Sequence, residues 1–200
     1  MKLHIPANVF KSALTCAAKD DRKGCNALFF ELGETHYRII STDTHVCFIA
    51  ELPYTDKDEI DDGDFSSATI ENLPKTIKGK SFTVEFFNDK AEINGEAFTS
   101  NPHHKVLDFY RRVFPHRDTP FSEGYPFILE GVASSISSVE KLLGVGYWVY
   151  PFGQLNPFVI EFSTDFPCVL IAMPARKMEK VTPERYGDVK AFIDDDIKEW

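Results

Sequence analysis

What most restricts the fold of this chain is a succession of short apolar or alternating runs cut by turn residues. Ala27 to Leu32, Tyr37 to Thr42 and Val46 to Leu52 are separated only by stretches around Gly33-Glu34 and Asp43-Thr44. Breaks that short join antiparallel neighbours, since a parallel pair needs a crossover of roughly a dozen residues or more. In the third run Val46, Phe48 and Ala50 fall on one face, which predicts a meander with one side against a core.

The flanking sequence extends this into a repeated order. Lys2 to Ile5 reads as a strand, and Pro6-Ala7-Asn8 as a turn with Asn8 as helix cap. Val9, Phe10, Ala13, Leu14 and Ala17 then share one side of a helix from Val9 to Lys19. Lys11, Thr15, Lys19 and Arg22 lie opposite. After the meander, Phe65 to Glu71 is a strand and Asn72 to Gly79 a short helix with Lys75 and Lys78 outward. Ser81 to Phe87 and Ala91 to Thr99 pair as a hairpin across Asn88-Asp89-Lys90, with Phe82, Val84 and Phe86 on one side. Further on, Phe127 to Val132 is a strand and Ser134 to Leu143 a helix, with Ser137 and Glu140 spaced for a capping box. Tyr147 to Phe152, Phe158 to Ser163 and Cys168 to Met173 finish as strands.

The fold class is therefore α+β, with repeated strand-helix-strands units and antiparallel sheets. Residues 1–104 form one domain, 105–121 a linker, 122–177 a shorter second domain, and 178–200 an acidic helical tail. The tail carries Val189, Phe192, Ile193, Ile197 and Trp200 at helical spacing. The linker holds VLDFYRRVFP, Val106 to Pro115, whose aromatics can bury area on either side while Arg111 and Arg112 must reach water or an acceptor.

Composition narrows the function. With 43% hydrophobic residues, the 200-residue chain can bury a core without disulfides, and no run approaches the ~20 apolar residues that cross a bilayer. A soluble, cytoplasmic protein that does not engage a membrane is expected. Cys16, Cys25, Cys47 and Cys168 lack metal-type spacing and read as buried free thiols. The acidic stretch Asp56 to Asp64 lacks the alternating ligands and final Glu of an EF-hand, and reads as a solvated loop. His103, His104 and His116 are isolated loop histidines. No GxSxG, P-loop or HExxH motif is present, so neither enzyme turnover nor a cofactor or metal is expected. A net charge of −9 excludes a uniformly basic nucleic-acid surface and leaves room for one basic lining on an acidic body.

Three motifs carry a family resemblance. IISTDTHVCFIAELP, Ile39 to Pro53, resembles the T-D-G-H-R-L-A stretch of the bacterial beta sliding clamp. DFYRRVFP, Asp108 to Pro115, is similar to the P-D-Y-R-R-V-x-P segment that leads into that family's last domain. CVLIAMPAR, Cys168 to Arg176, resembles its final M-P-M-R strand. Thr44 stands where the family has Gly, Val46 where it has Arg, and Cys47 where it has Leu. The resemblance, over residues 1 to 177, implies a DNA-clamp (processivity) fold whose helices face duplex DNA without sequence preference. Lys11, Lys19, Arg22, Lys75 and Lys78 would face that DNA.

It also implies a cleft for short peptides of the form Q-L-x-L-F, borne by DNA polymerase, the clamp loader and repair proteins. Its wall would comprise Thr42, Thr44, His45, Val46, Arg112, Val113, Ile171, Met173 and Pro174, with Thr42, Thr44 and Val46 alternating along one strand. Gln154 to Phe158 looks like a degenerate form of that peptide. If two domains per chain close a six-domain ring, the assembly is a homotrimer. The alternative is a clamp-like decoy or regulator that binds replication proteins without encircling DNA.

Overall fold

The first helix grows directly out of the first strand. In the computed structural model, which describes residues 1–19, 25–60, 67–73, 78–87, 89–101, 108–115, 119–121, 128–152 and 156–174, β1 (Lys2–Pro6) runs straight into α1 (Ala7–Cys16). Val9, Phe10, Ala13 and Cys16 recur at helical spacing and are buried, and Phe10 stacks on Phe82 at 4.3 Å between ring centroids. Pro6 is the N-cap and no side chain caps the helix; Asn8 instead accepts from the adjacent Val9 N–H. The helix stops three residues before Lys19, where Ala17 turns extended.

β2 (Ala27–Leu32), β3 (His36–Thr42) and β4 (Val46–Pro53) form the expected meander, and β5 (Ser67–Glu71) follows. The next stretch departs from expectation. Ala91 to Thr99 is not one strand: after β6 (Ser81–Phe86), β7 (Lys90–Ile93) and β8 (Glu96–Asn101) are joined at Asn94-Gly95. Both turn residues have positive φ, +52° and +84°, a pair that Asn-Gly supplies at little cost and that fits the twist of a tight hairpin.

The linker contains a short helix, α2 (Asp108–Val113). The strand expected at Phe127 to Val132 is also corrected, because Glu130 already opens α3 (Glu130–Leu143) and leaves no place for a capping box at Ser137. Val132, Ile136, Val139 and Leu143 supply its buried stripe, and Gly144 ends it at φ +70° with its N–H on the Glu140 carbonyl at 2.8 Å. β9 (Tyr147–Tyr150), β10 (Phe158–Phe162) and β11 (Cys168–Ala172) complete the described chain. The tail, His103, His104 and His116, residues 74–77 of the Asn72–Gly79 stretch, and Gln154 and Leu155 lie outside the described residues.

All eleven strands join one antiparallel sheet in the order β1-β6-β7-β8-β5-β2-β3-β4-β11-β10-β9. Two units, each a leading strand and a three-stranded meander, interlock within it: β1 pairs with β6 of the second unit, and β5 with β2 of the first. The third meander, β9 to β11, attaches through β11, which pairs with β4 from Cys168 opposite Ala50 to Ala172 opposite Val46. α1 and α3 pack together on one face of the sheet, over a core running from Leu3 and Phe30 to Phe158 and Leu170. The opposite face carries a smaller apolar cluster.

The loop after β4 is not simply solvated. The Asp58 side chain is only 1% exposed and accepts from the His4 N–H at 2.6 Å and from the Thr55 N–H at 2.7 Å, so it pins the loop to β1. Asp61 to Asp64 lie outside the described residues.

Candidate functional site

The turn between β3 and β4 is built by its own side chains. Thr42 Oγ1 donates to the Val46 carbonyl at 2.6 Å and accepts from the Thr44 N–H at 3.0 Å. Asp43 Oδ1 accepts from the N–H groups of His45 and Val46 at 2.8 and 2.9 Å. Thr44 is thereby held at φ +80°, the left-handed region that a branched side chain rarely adopts. The end of β11 locks onto this turn, since the Met173 N–H donates to the His45 carbonyl at 2.8 Å.

On the sheet face away from α1, Ala27, Phe29, Ile40, Cys47, Ile49 and Ile171 form a buried cluster, against which Val113 of α2 packs. Thr42 pairs with Cys47, and Cys47 with Ile171, so all three share this face. Arg111 fixes α2 there through a 2.6 Å bond to Glu31, itself bonded by Arg38. Arg112, next along the helix, is exposed, as are Thr44 and His45. Thr42, Cys47 and Ile171 thus share one seam on which Val113 packs, and His45 and Met173 meet through their backbone bond at its end, next to the buried Pro174.

Val46 does not join them. Thr42, Thr44 and Val46 do not alternate along one strand, because β3 ends at Thr42 and β4 begins at Val46; Val46 pairs with Ala172 and is buried beneath the helices. Cys47, one residue on, takes its place on the seam face. The sequence signal for Cys47 was its position in the T-D-T-H-V-C run, where the clamp motif has Leu. Arg111 had no signal separating it from Arg112.

The other candidates are the cations expected to face DNA. Lys11 is half-buried on α1, Lys19 is exposed beyond the helix end and Lys78 is exposed; Arg22 and Lys75 lie outside the described residues. The helix that packs on α1 is α3, and it exposes Glu130, Gly131, Ala133, Ser134, Ser137 and Lys141. Between α1, the β3–β4 turn and α3 lies a polar cleft of about 340 Å³, lined by Thr15, Lys19, Asp43, His45, Ser134 and Ser138 among others. The helix layer is small-residued and hydroxyl-rich, with few charges of either sign.

Burial pushes the Cys47 and Cys168 thiols up to about 12, with neighbouring Cys25 adding to the rise at Cys47. Burial likewise holds Cys16 well above the usual thiol range, helped by Asp43, Cys47 and Cys168. Such thiols stay protonated near neutrality and are poor nucleophiles or ligands. Among the described residues no group of three or more His, Cys, Asp and Glu could hold a metal, and no helix is long and apolar enough to cross a membrane.

No protein-family model and no curated protein sequence matches the chain. Solved structures do. The DNA polymerase III beta subunit of Thermotoga maritima superposes with a TM-score of 0.57 at 14% identity, covering 88% of this chain and 65% of that one. The C. crescentus beta sliding clamp gives 0.58 at 13% identity over 88% and 66%, and the Streptococcus pyogenes beta subunit 0.58 at 10% identity over the same shares. The chain has the sliding-clamp fold. It spans slightly less than two thirds of the length of these clamps, and its α+β architecture of antiparallel sheets backed by helices is theirs. The helix face and the Cys47–Ile171 cluster lie on opposite sides of one sheet, and the turn with Asp43 and His45 at the sheet's end lines the helix-side cleft.

Proposed function

We propose that the protein is a clamp-like processivity factor that holds duplex DNA against its helix face and receives peptides of a polymerase and a loader at the seam. The observation that carries this reading is the apolar cluster of Cys47 and Ile171, with Val113 of α2 packed on it, on the face opposite α1 and α3, together with the Met173–His45 bond that ties the end of β11 to the turn at the sheet's end. A peptide seated there leaves the helix face free for nucleic acid. Anchors would come from the apolar floor around Ile171 and Val113, and orientation from Arg112 and His45. On the helix face, Lys11, Lys19 and Lys78 would attract phosphates, and the hydroxyls of Thr15, Ser134 and Ser138 would donate to them without reading sequence. The two clamp-like parts divide at the linker, residues 105–121. Closing a ring needs further copies of the chain, three in all if each supplies two of six domains.

A second reading, an interaction protein that takes clamp-binding peptides without encircling DNA, is favoured by the near-neutral surface of α3. One experiment separates the two. The protein is assembled on a nicked circular duplex with its loader, separated by gel filtration, and the circle is cut. Encirclement gives retention on the circle and loss after cutting, and the double variant Lys11→Glu, Lys19→Glu lowers retention at least several-fold. Equal retention on circle and linear duplex, or none on either, removes the encircling reading.

A further inference from the structure

The floor of the seam is closed in the free chain. Ala27, Phe29, Ile40, Cys47, Ile49 and Ile171 are each at most 8% exposed, although they lie on the sheet face opposite α1 and α3. Among the described residues, the side chain from outside the sheet that packs on them is Val113 of α2. A peptide anchored on Cys47 and Ile171 must take the place that Val113 holds.

Beside that floor runs a row of charge. Glu31 of β2 pairs with Arg38 of β3, and Arg38 with Glu51 of β4, two residues along from the pairs Phe29–Ile40 and Ile40–Ile49, so the charged row and the apolar one share a face. Arg38 donates to Glu51 at 2.7 Å and to Glu31 at 3.4 Å, and the other Glu31 oxygen accepts from Arg111 of α2 at 2.6 Å. The two ends of this last bond differ. The Glu31 side chain is 13% exposed and fixed on the sheet, while that of Arg111 is 54% exposed and borders an open cavity of about 350 Å³ with Gly33, Thr35 and Glu51. Arg111 can therefore swing into water without disturbing a strand, and an ion pair with so exposed a partner is weak and screened by salt.

We propose that α2 is a strap that shuts the seam in the free chain, and that the Arg111–Glu31 bond is its latch. When the latch opens, Val113 lifts from the cluster, and Cys47 and Ile171 become an apolar surface for a partner's side chains. Closed, the same surface is covered by the chain's own valine. The strap competes with a peptide for one floor, so loosening it raises the fraction of chains open to binding and with it the rate of association. Salt favours the open form by screening the latch. The gating of peptides rests on the reading of the seam as their site; the opening of α2 does not.

Cys47 reports the opening directly, because it is 4% exposed within the cluster that Val113 covers, while Cys168, 1% exposed, lies in the core on the helix side. Labelling of the full chain with a maleimide, read by mass spectrometry of the modified peptides, should be at least several-fold faster at Cys47 in Arg111→Ala than in wild type. Arg111→Lys should stay close to wild type, and Cys168 should be unchanged in both variants. Raising the salt concentration should speed labelling of Cys47 in wild type and leave Arg111→Ala nearly as it was. A fluorescent Q-L-x-L-F peptide should associate faster with Arg111→Ala by a similar factor. Equal Cys47 rates in wild type and Arg111→Ala, or a Cys168 rate that rises with that of Cys47, overturns the strap, and slower peptide association with Arg111→Ala overturns its role as a gate. If the peptide binds no form while Cys47 behaves as expected, the peptide reading falls and the strap stands.

Discussion

Replacing Thr44 by Gly should stabilise the protein. Thr44 sits at φ +80° in the β3–β4 turn, exposed, and its backbone N–H is already satisfied by Thr42 Oγ1. A branched side chain in that region costs about 1–2 kcal/mol. Glycine removes the clash and brings a larger entropy loss on folding, roughly 0.5–1 kcal/mol. The remaining turn bonds, from Thr42 and Asp43, are untouched by the change. The net is a gain of about 0.5–1 kcal/mol, or about 1–4 °C in melting temperature for a chain of this size. Thr44→Ala, which keeps Cβ but removes the branch, should fall between the two. Urea titration with a shared slope for the three proteins reads the differences. A glycine variant no more stable than wild type, or an alanine variant equal to it, would refute the strain argument.

Three other outcomes follow from the described contacts. Ile171→Ala, at 1% exposure in the seam cluster, should cost about 2–5 kcal/mol in urea unfolding, and a loss below about 1 kcal/mol would mean the cluster relaxes around the gap. Asp58→Ala leaves the N–H groups of His4 and Thr55 without their acceptor and should cost about 1–3 kcal/mol, against near-neutrality for a loop acid that only meets solvent. Stability should also fall with rising pH above about 9. The folded-state pKa values of Cys47 and Cys168 are raised from the ordinary 9.0 to about 12, so the unfolded chain gives up its thiol protons first. Each thiol then contributes a loss of about 1.4 kcal/mol per pH unit until its folded pKa is reached. A flat profile between pH 9 and roughly 10.5, measured with reductant present, would contradict their burial.

Local pattern made most strands legible. The runs Ala27–Leu32 and Val46–Leu52 alternate or stay apolar between short polar breaks, and both are strands at those places. The Asn94-Gly95 turn was equally visible, as a two-residue hairpin signal, but it lies within a run whose alternation reads as one continuous strand. Phe127 to Val132 is apolar and β-branched enough to suggest a strand. Periodicity over so few residues cannot separate that from the first turn of a buried helix.

The site was harder, because its assembly is non-local. The β4–β11 pairing decides which residues share a face, and neither strand's own sequence encodes it. The turn at Asp43 to His45 breaks the count of alternation, which moves Val46 under the helices and brings Cys47 to the seam. The helix that packs on α1 lies in the last part of the chain, so a pattern of lysines in the first part could not reveal how neutral the paired surface is.

The seam is tested most directly by titrating a fluorescent Q-L-x-L-F peptide with the full chain and following polarisation. Saturable binding is expected, weakened at least several-fold by Met173→Ala and by Arg112→Ala and unchanged by Val149→Lys at the far edge of the sheet. Absence of binding, or affinity indifferent to both seam substitutions, would contradict the assignment of this junction as a peptide site.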